Sequence, residues 1–215
     1  MTEKPVLWSS WSSSCSSRVR TVLALKKIDY EYHAVNLRTE EEQKDFALNN
    51  PAQKVPILKI NGLTLTESMA IIEYLDEVYP EPPLLPKEPE QRAHARAVAF
   101  HITSNIQPLQ NMAIVKMVDE KAPGFGIEWA QTHINKGFTA LEKLLNLYSG
   151  GKFCVGDQLT IADIVLPSIV YNAAEKYSVD MTPYPTISKI SKFLSEIPEF
   201  QVAEADRQPD APKKL

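Results

Sequence analysis

The chain has 215 residues, about one and a half times the common domain size, which leaves room for one large domain or two small ones. Apolar residues make up 44% and charged residues 23%, ordinary for a globular protein and wrong for a disordered one. The net charge of -4 argues against a basic footprint for nucleic acid or an anionic membrane, and neither a signal peptide nor a membrane span is visible, so a soluble, cytoplasmic protein is expected.

Short apolar runs alternate with helical patterns from the start of the chain. Pro5-Val6-Leu7-Trp8 reads as a strand and Val19, Val22, Leu23 and Lys26 as one face of a helix. Glu31 to Val35 reads as a second strand, and a second helix runs through Asp45 to Leu48. Pro56 to Ile60, the pair Asn61-Gly62 and Leu63 to Thr66 predict a β-hairpin, because Asn-Gly supplies the positive φ angles of a type I′ turn. A helix follows with Met69, Ile72, Leu75 and Tyr79 on one side, which makes a mixed sheet covered by helices.

Pro80, Pro82, Pro83, Pro86 and Pro89 then crowd together where neither helix nor ladder can continue. The expected division is therefore an α/β domain over 1–83, a linker over 84–90 and an all-helical domain over 91–215. Within the latter, Phe138, Leu141, Leu145 and Tyr148 form a helical stripe. Ile161 to Tyr171 is apolar nearly all round, as in a central helix, with Thr160 and Asp163 as its capping box.

Several chemistries are excluded by pattern. All seven glycines lie at position 62 or later, so the first strand-to-helix turn carries no phosphate-cradling loop. The four histidines form no HExxH pair, no GxSxG elbow surrounds a serine, and Cys15 and Cys154 are too few for a disulfide framework or a zinc site. No metal is expected.

Three places could carry chemistry. Ser9 to Arg20, SSWSSSCSSRVR, lies between the first strand and the first helix; it is either a polar capping loop or an anion site using hydroxyls, free N–H groups and the helix dipole, strengthened by Arg18 and Arg20. Val55-Pro56 begins a strand; it is either an ordinary strand edge or a cis turn that offers the Val55 backbone to an extended peptide. Glu67-Ser68 opens a helix, as a simple cap or as a holder of an amino-acid head group. A thiolate, a short peptide backbone and an amino-acid head group together describe glutathione.

The runs SSCSSRVR, KVPILKINGLTLTESMAIIEYL, QPLQN, CVGDQLTIADI and VDMTPYPTISKI resemble the zeta class of glutathione transferases over almost the whole chain. The resemblance implies a thioredoxin-like N-terminal domain, an all-α C-terminal domain and a homodimer. Carried over, Ser13 is the thiolate-stabilising residue, with Ser14 and Cys15 beside it as the catalytic group. Glutathione binding extends through Ser16, Ser17 and Arg18 to Val55, Glu67, Ser68, Gln107 and Asn111. Arg18 and Lys176 are the expected holders of a dicarboxylic substrate. Ser12, Ser17, Glu67 and Lys176 depart from arginine, tryptophan, glutamine and arginine, respectively, as commonly found in the class, and the stretch from Arg38 to Lys44 is shortened.

The implied activity is a glutathione-dependent isomerisation of maleylacetoacetate to fumarylacetoacetate in phenylalanine and tyrosine breakdown, with some transferase activity. Cys15 is expected to aid positioning and Cys154 to be structural. The alternatives are a conjugating or dehalogenating transferase and a non-enzymatic scaffold on the same fold.

Overall fold

The computed structural model describes residues 3–35 and 40–212, and Arg38 and Thr39 of the shortened stretch lie outside these. The first part of the chain forms β1 (Val6–Ser9), α1 (Ser14–Leu25), β2 (Glu31–Ala34), α2 (Glu40–Asn49), β3 (Ile57–Ile60), β4 (Leu63–Thr66) and α3 (Ser68–Val78). The strands form one sheet in the order β2-β1-β3-β4, with β1 parallel to β2 and antiparallel to β3, and β3 antiparallel to β4. Asn61 and Gly62 turn the β3–β4 hairpin with φ of 52° and 77°, as the type I′ turn requires. Leu7, Ile57, Leu58 and Ile60 from the sheet are buried, as are Val19, Val22 and Leu23 of α1 and Ile71, Ile72 and Leu75 of α3.

The second part is helical: α4 (Pro89–Phe100), α5 (Met112–Lys121), α6 (Gly126–Tyr148), α7 (Ile161–Tyr171), α8 (Pro185–Ser195) and α9 (Pro198–Gln201). Two π-helical turns, His101–Ile106 and Asn172–Lys176, extend α4 and α7. Ile161, Ala162, Ile164, Val165, Leu166 and Ile169 are all buried, as an apolar circumference demands. The α7 capping box is present: the Thr160 hydroxyl caps the first turn while Asp163 accepts from the Thr160 N–H at 2.8 Å. Asp163 also accepts from the Cys154 N–H at 2.7 Å, so one carboxylate fastens the helix start to the segment before it.

The chain divides into two compact units, Met1–Pro82 with Ile197–Leu215, and Pro83–Glu196. The break falls within the proline-rich stretch, but α4 already starts at Pro89, inside the expected linker. The segment from Ile197 on, expected in the helical domain, is part of the first unit because its backbone is a partner of buried Arg20: the guanidinium Nη2 donates to the Ala203 carbonyl at 3.0 Å. Lys26 closes the same unit at the other end of α1. Its side chain is fully buried, and Nζ donates to Asp76 of α3 at 2.7 Å and to the Pro82 carbonyl at 2.6 Å.

Candidate active site

Strand register brings the three candidate sites to one end of the sheet. Trp8 of β1 stands opposite Ile57 of β3, which stands opposite Thr66 of β4. The segment after β1, the Val55-Pro56 bond before β3 and the Glu67-Ser68 step after β4 therefore all leave the sheet at the same edge. Val55-Pro56 is cis, and the ladder starts only at Ile57, beyond Val55.

Ser13 is the N-cap of α1. Its backbone is extended (φ -79°, ψ 117°) and its Oγ accepts from the Ser16 N–H at 3.2 Å. That bond uses the oxygen as acceptor and leaves the hydroxyl proton for an anion at the positive end of the helix. Ser14 and Cys15 follow in the first turn, Ser14 buried and Cys15 half-buried as a free thiol. Ser16 is fully buried. The Ser17 hydroxyl donates to the Ala203 carbonyl of the C-terminal segment at 3.2 Å.

Glu67 caps α3 without a side-chain bond and holds φ at 64°, an uncommon value for a non-glycine residue. The first N–H groups of α3 are thus left open to an anion. Ser68, buried, receives the Arg18 Nη1 proton at 3.1 Å. Arginine only donates, so Ser68 Oγ accepts from it and keeps its own proton for a further acceptor. Arg18 is only 2% exposed, and its Nε and Nη2 find no hydrogen-bond partner among the described residues. Burial lowers its pKa, opposed by the neighbouring Cys15. Arg18 thus stands behind Ser68, its guanidinium buried.

In the helical unit, Asn111 is the N-cap of α5, its Oδ1 accepting from the Ala113 N–H at 3.0 Å. Gln107 follows the first π-turn directly, and Lys176 ends the second. The two segments meet through Tyr177, whose hydroxyl donates to the Gln110 carbonyl, so Gln107, Asn111 and Lys176 belong to one neighbourhood. Lys176 is half-buried, and desolvation lowers its pKa. Cys154 is buried away from solvent, where burial and the Asp163 charge push its thiol pKa well up, in keeping with an inert thiol.

The arrangement can hold a thiolate at α1, an extended peptide backbone at Val55 and a carboxylate at α3. With an all-helical unit following a four-stranded thioredoxin-like one, these features define a glutathione transferase. Family models agree: the glutathione S-transferase N-terminal domain matches residues 4–77 and the C-terminal domain matches 111–202. The chain belongs to the glutathione transferase family, in its zeta class.

Its relatives within that family include maleylacetoacetate isomerases. The chain is 48% identical to the maleylacetoacetate isomerase of Rattus norvegicus, over 99% of this chain and 97% of the relative. A maleylacetoacetate isomerase from Anaeromyxobacter dehalogenans, solved with glutathione in its active site, superposes with a TM-score of 0.88 at 42% identity, covering 99% of this chain and 100% of the other. The same enzyme with dicarboxyethyl glutathione and citrate bound gives 0.87 at 41% identity, with the same coverage.

Proposed function

We propose that the protein is a glutathione-dependent cis–trans isomerase that converts maleylacetoacetate to fumarylacetoacetate in phenylalanine and tyrosine breakdown, acting in the cytoplasm as a homodimer. The observation that carries the reading is the Ser13 cap: a hydroxyl proton and a helix N-terminus are offered at the same sheet edge as the open start of α3, with Ser68 and Arg18. A thiol tripeptide with a carboxylate at its far end fits that spacing of demands. The relatives' names supply the substrate, and the dicarboxyethyl glutathione held by one of them is a thioether between this thiol and a diacid.

This reading assigns the residue roles as follows. Ser13 donates to the sulfur and, with the α1 dipole, favours its ionised form; Ser14 and Cys15 line the same turn. Val55 offers its backbone to the peptide. The α3 N-terminus, Glu67 and Ser68 take the amino-acid head group, and Arg18, behind Ser68, supplies positive charge and fixes the direction of the Ser68 proton. Gln107, Asn111 and Lys176 are the polar and positive groups this reading assigns to the diacid. Bound there, glutathione supplies a thiolate that adds reversibly to the cis double bond conjugated with a carbonyl, allows rotation about the resulting single bond, and leaves again. Lys176 meets a substrate carboxylate as a point charge, without the two-donor fork of arginine. Leu63 and Val78 are exposed apolar side chains of the first unit, and Phe100 of the second, of the kind a subunit partner covers.

Ser13→Ala tests the central role. Turnover falls by about a hundredfold, the loss typical of a single oxyanion-type donor, while glutathione KM changes little because the other loops still hold the tripeptide. Near-normal turnover would transfer the role to Ser14 or Cys15. Cys15→Ala is expected to have only a partial effect. Lys176 in place of arginine favours a second reading, a transferase that conjugates other electrophiles; that reaction consumes glutathione, whereas isomerisation returns it.

A further inference from the structure

The loop between β1 and α1 is held from the far end of the chain. Asp210 lies 199 positions beyond Trp11, yet its Oδ2 accepts from the Trp11 N–H at 3.0 Å and its Oδ1 accepts from the Tyr32 hydroxyl at 2.7 Å. From the other side, buried Arg20 donates through Nη1 to Ser9 Oγ at 3.1 Å and to the Ser10 carbonyl at 3.2 Å. Its Nη2 reaches the Trp11 carbonyl at 3.3 Å as well as that of Ala203. The Ser10 carbonyl in turn accepts from the Ser13 N–H at 3.1 Å. The backbone of Ser10 and Trp11 is therefore fixed between a cation from α1 and a carboxylate from the C-terminal segment, and this loop leads directly into Ser13.

We propose that Asp210 is a positioning residue for the reaction: through Trp11 it holds the loop that aims the Ser13 hydroxyl at the glutathione sulfur. The proposal rests on the reading of Ser13 as the thiolate-stabilising group. Its physical basis is that hydrogen-bond stabilisation of a developing or resident charge depends on sub-ångström aim, and a misplacement of about 1 Å costs up to a hundredfold in rate. Losing Asp210 removes the acceptor of the Trp11 N–H and of the Tyr32 hydroxyl, and takes away a negative charge that favours the buried Arg20 cation. Val55, Glu67 and Ser68 leave the sheet on other segments and keep their grip on the tripeptide. A brace on this loop alone thus separates thiolate stabilisation from glutathione affinity, which a general loss of folding does not.

The test uses full-length Asp210→Ala and Asp210→Asn, with Ser13→Ala as reference. Three quantities are read: the pH titration of the bound glutathione thiolate by its ultraviolet absorbance, kcat against glutathione KM, and hydrogen exchange of the Trp11 amide without ligand. In Asp210→Ala the thiolate titration moves to higher pH, kcat falls about tenfold or more with KM within about twofold, and the Trp11 amide loses protection. Asp210→Asn, which keeps one acceptor, falls between. An unchanged thiolate titration and kcat in Asp210→Ala overturns the proposal, as does a parallel loss of kcat and glutathione affinity, which marks a structural role only. If Ser13→Ala leaves the titration unmoved while Asp210→Ala shifts it, the brace stands and the assignment of Ser13 fails instead.

Discussion

Replacing Asp163 by alanine removes the acceptor of two backbone N–H groups in a fully buried place, those of Cys154 and Thr160, and of the Thr160 hydroxyl at 3.0 Å. Each orphaned buried donor costs about 1–3 kcal/mol, and the charge no longer buried offsets part of this, so a net loss of about 2–4 kcal/mol is expected at pH 7. Asp163→Asn keeps one carbonyl oxygen and should lose about 1–2 kcal/mol. Burial pushes the Asp163 carboxyl up to about 6, against the hydrogen bonds that pull it down. Between an unfolded value near 4 and this folded value, the native chain binds more protons than the unfolded one, so its stability falls as pH rises through that window, by about 3 kcal/mol at most. The asparagine variant has no such dependence. Urea midpoints at pH 4.5 and 7 should therefore show a wild-type advantage over Asp163→Asn that shrinks as pH rises. Per folded molecule, kcat stays the same. An advantage that grows with pH, or unchanged stability in Asp163→Ala, would mean that the buried carboxyl does not hold these N–H groups.

Lys26→Met removes the buried cation bonded to Asp76 and the donor to the Pro82 carbonyl; a loss of about 3 kcal/mol in chemical denaturation is expected, partly recovered in Lys26→Met/Asp76→Leu. Gly137→Ala would drive a Cβ into Ile106 Cγ1, at the end of the π-turn that precedes Gln107, and should cost about 1–3 kcal/mol, read as a lower Tm. Lys176→Ala should raise KM for the diacid more than for a neutral electrophile. Because burial lowers the Lys176 pKa, its charge is lost earlier on the alkaline side than an ordinary lysine's, so wild-type affinity for the diacid should weaken there while the alanine variant shows no such step.

What could be read from the sequence was local. Asn61-Gly62 dictates its turn, Thr160 and Asp163 dictate their cap, and the serines before Val19 mark a helix start with hydroxyls to spare, because each signal needs only residues within a few positions. The three candidate loops were legible as well, since each flanks a strand that the alternation marks, whereas the strand order that brings them to one end of the sheet rests on long-range pairing. What escaped was long-range. Nothing near Arg20 reveals that its partner is the Ala203 carbonyl, and nothing near Trp11 points to Asp210, so no local signal ties the segment from Ile197 on to the first unit. Arg18 was legible as a charge but not as a buried one: its place behind Ser68 depends on α1 packing against α3, 50 positions away in sequence. The π-turns before Gln107 and at Lys176 have no sequence mark, because one inserted residue in a helix leaves the apolar pattern nearly intact.

In the proposed isomerisation the thiol returns unchanged after each turnover. The most direct measurement is incubation of the protein with excess maleylacetoacetate and sub-stoichiometric glutathione, following the trans product and free thiol together. Many molecules of fumarylacetoacetate should form per molecule of glutathione, with the free thiol constant and no thioether accumulating. Consumption of glutathione in step with the substrate, or conjugation of neutral electrophiles with maleylacetoacetate left untouched, would contradict it.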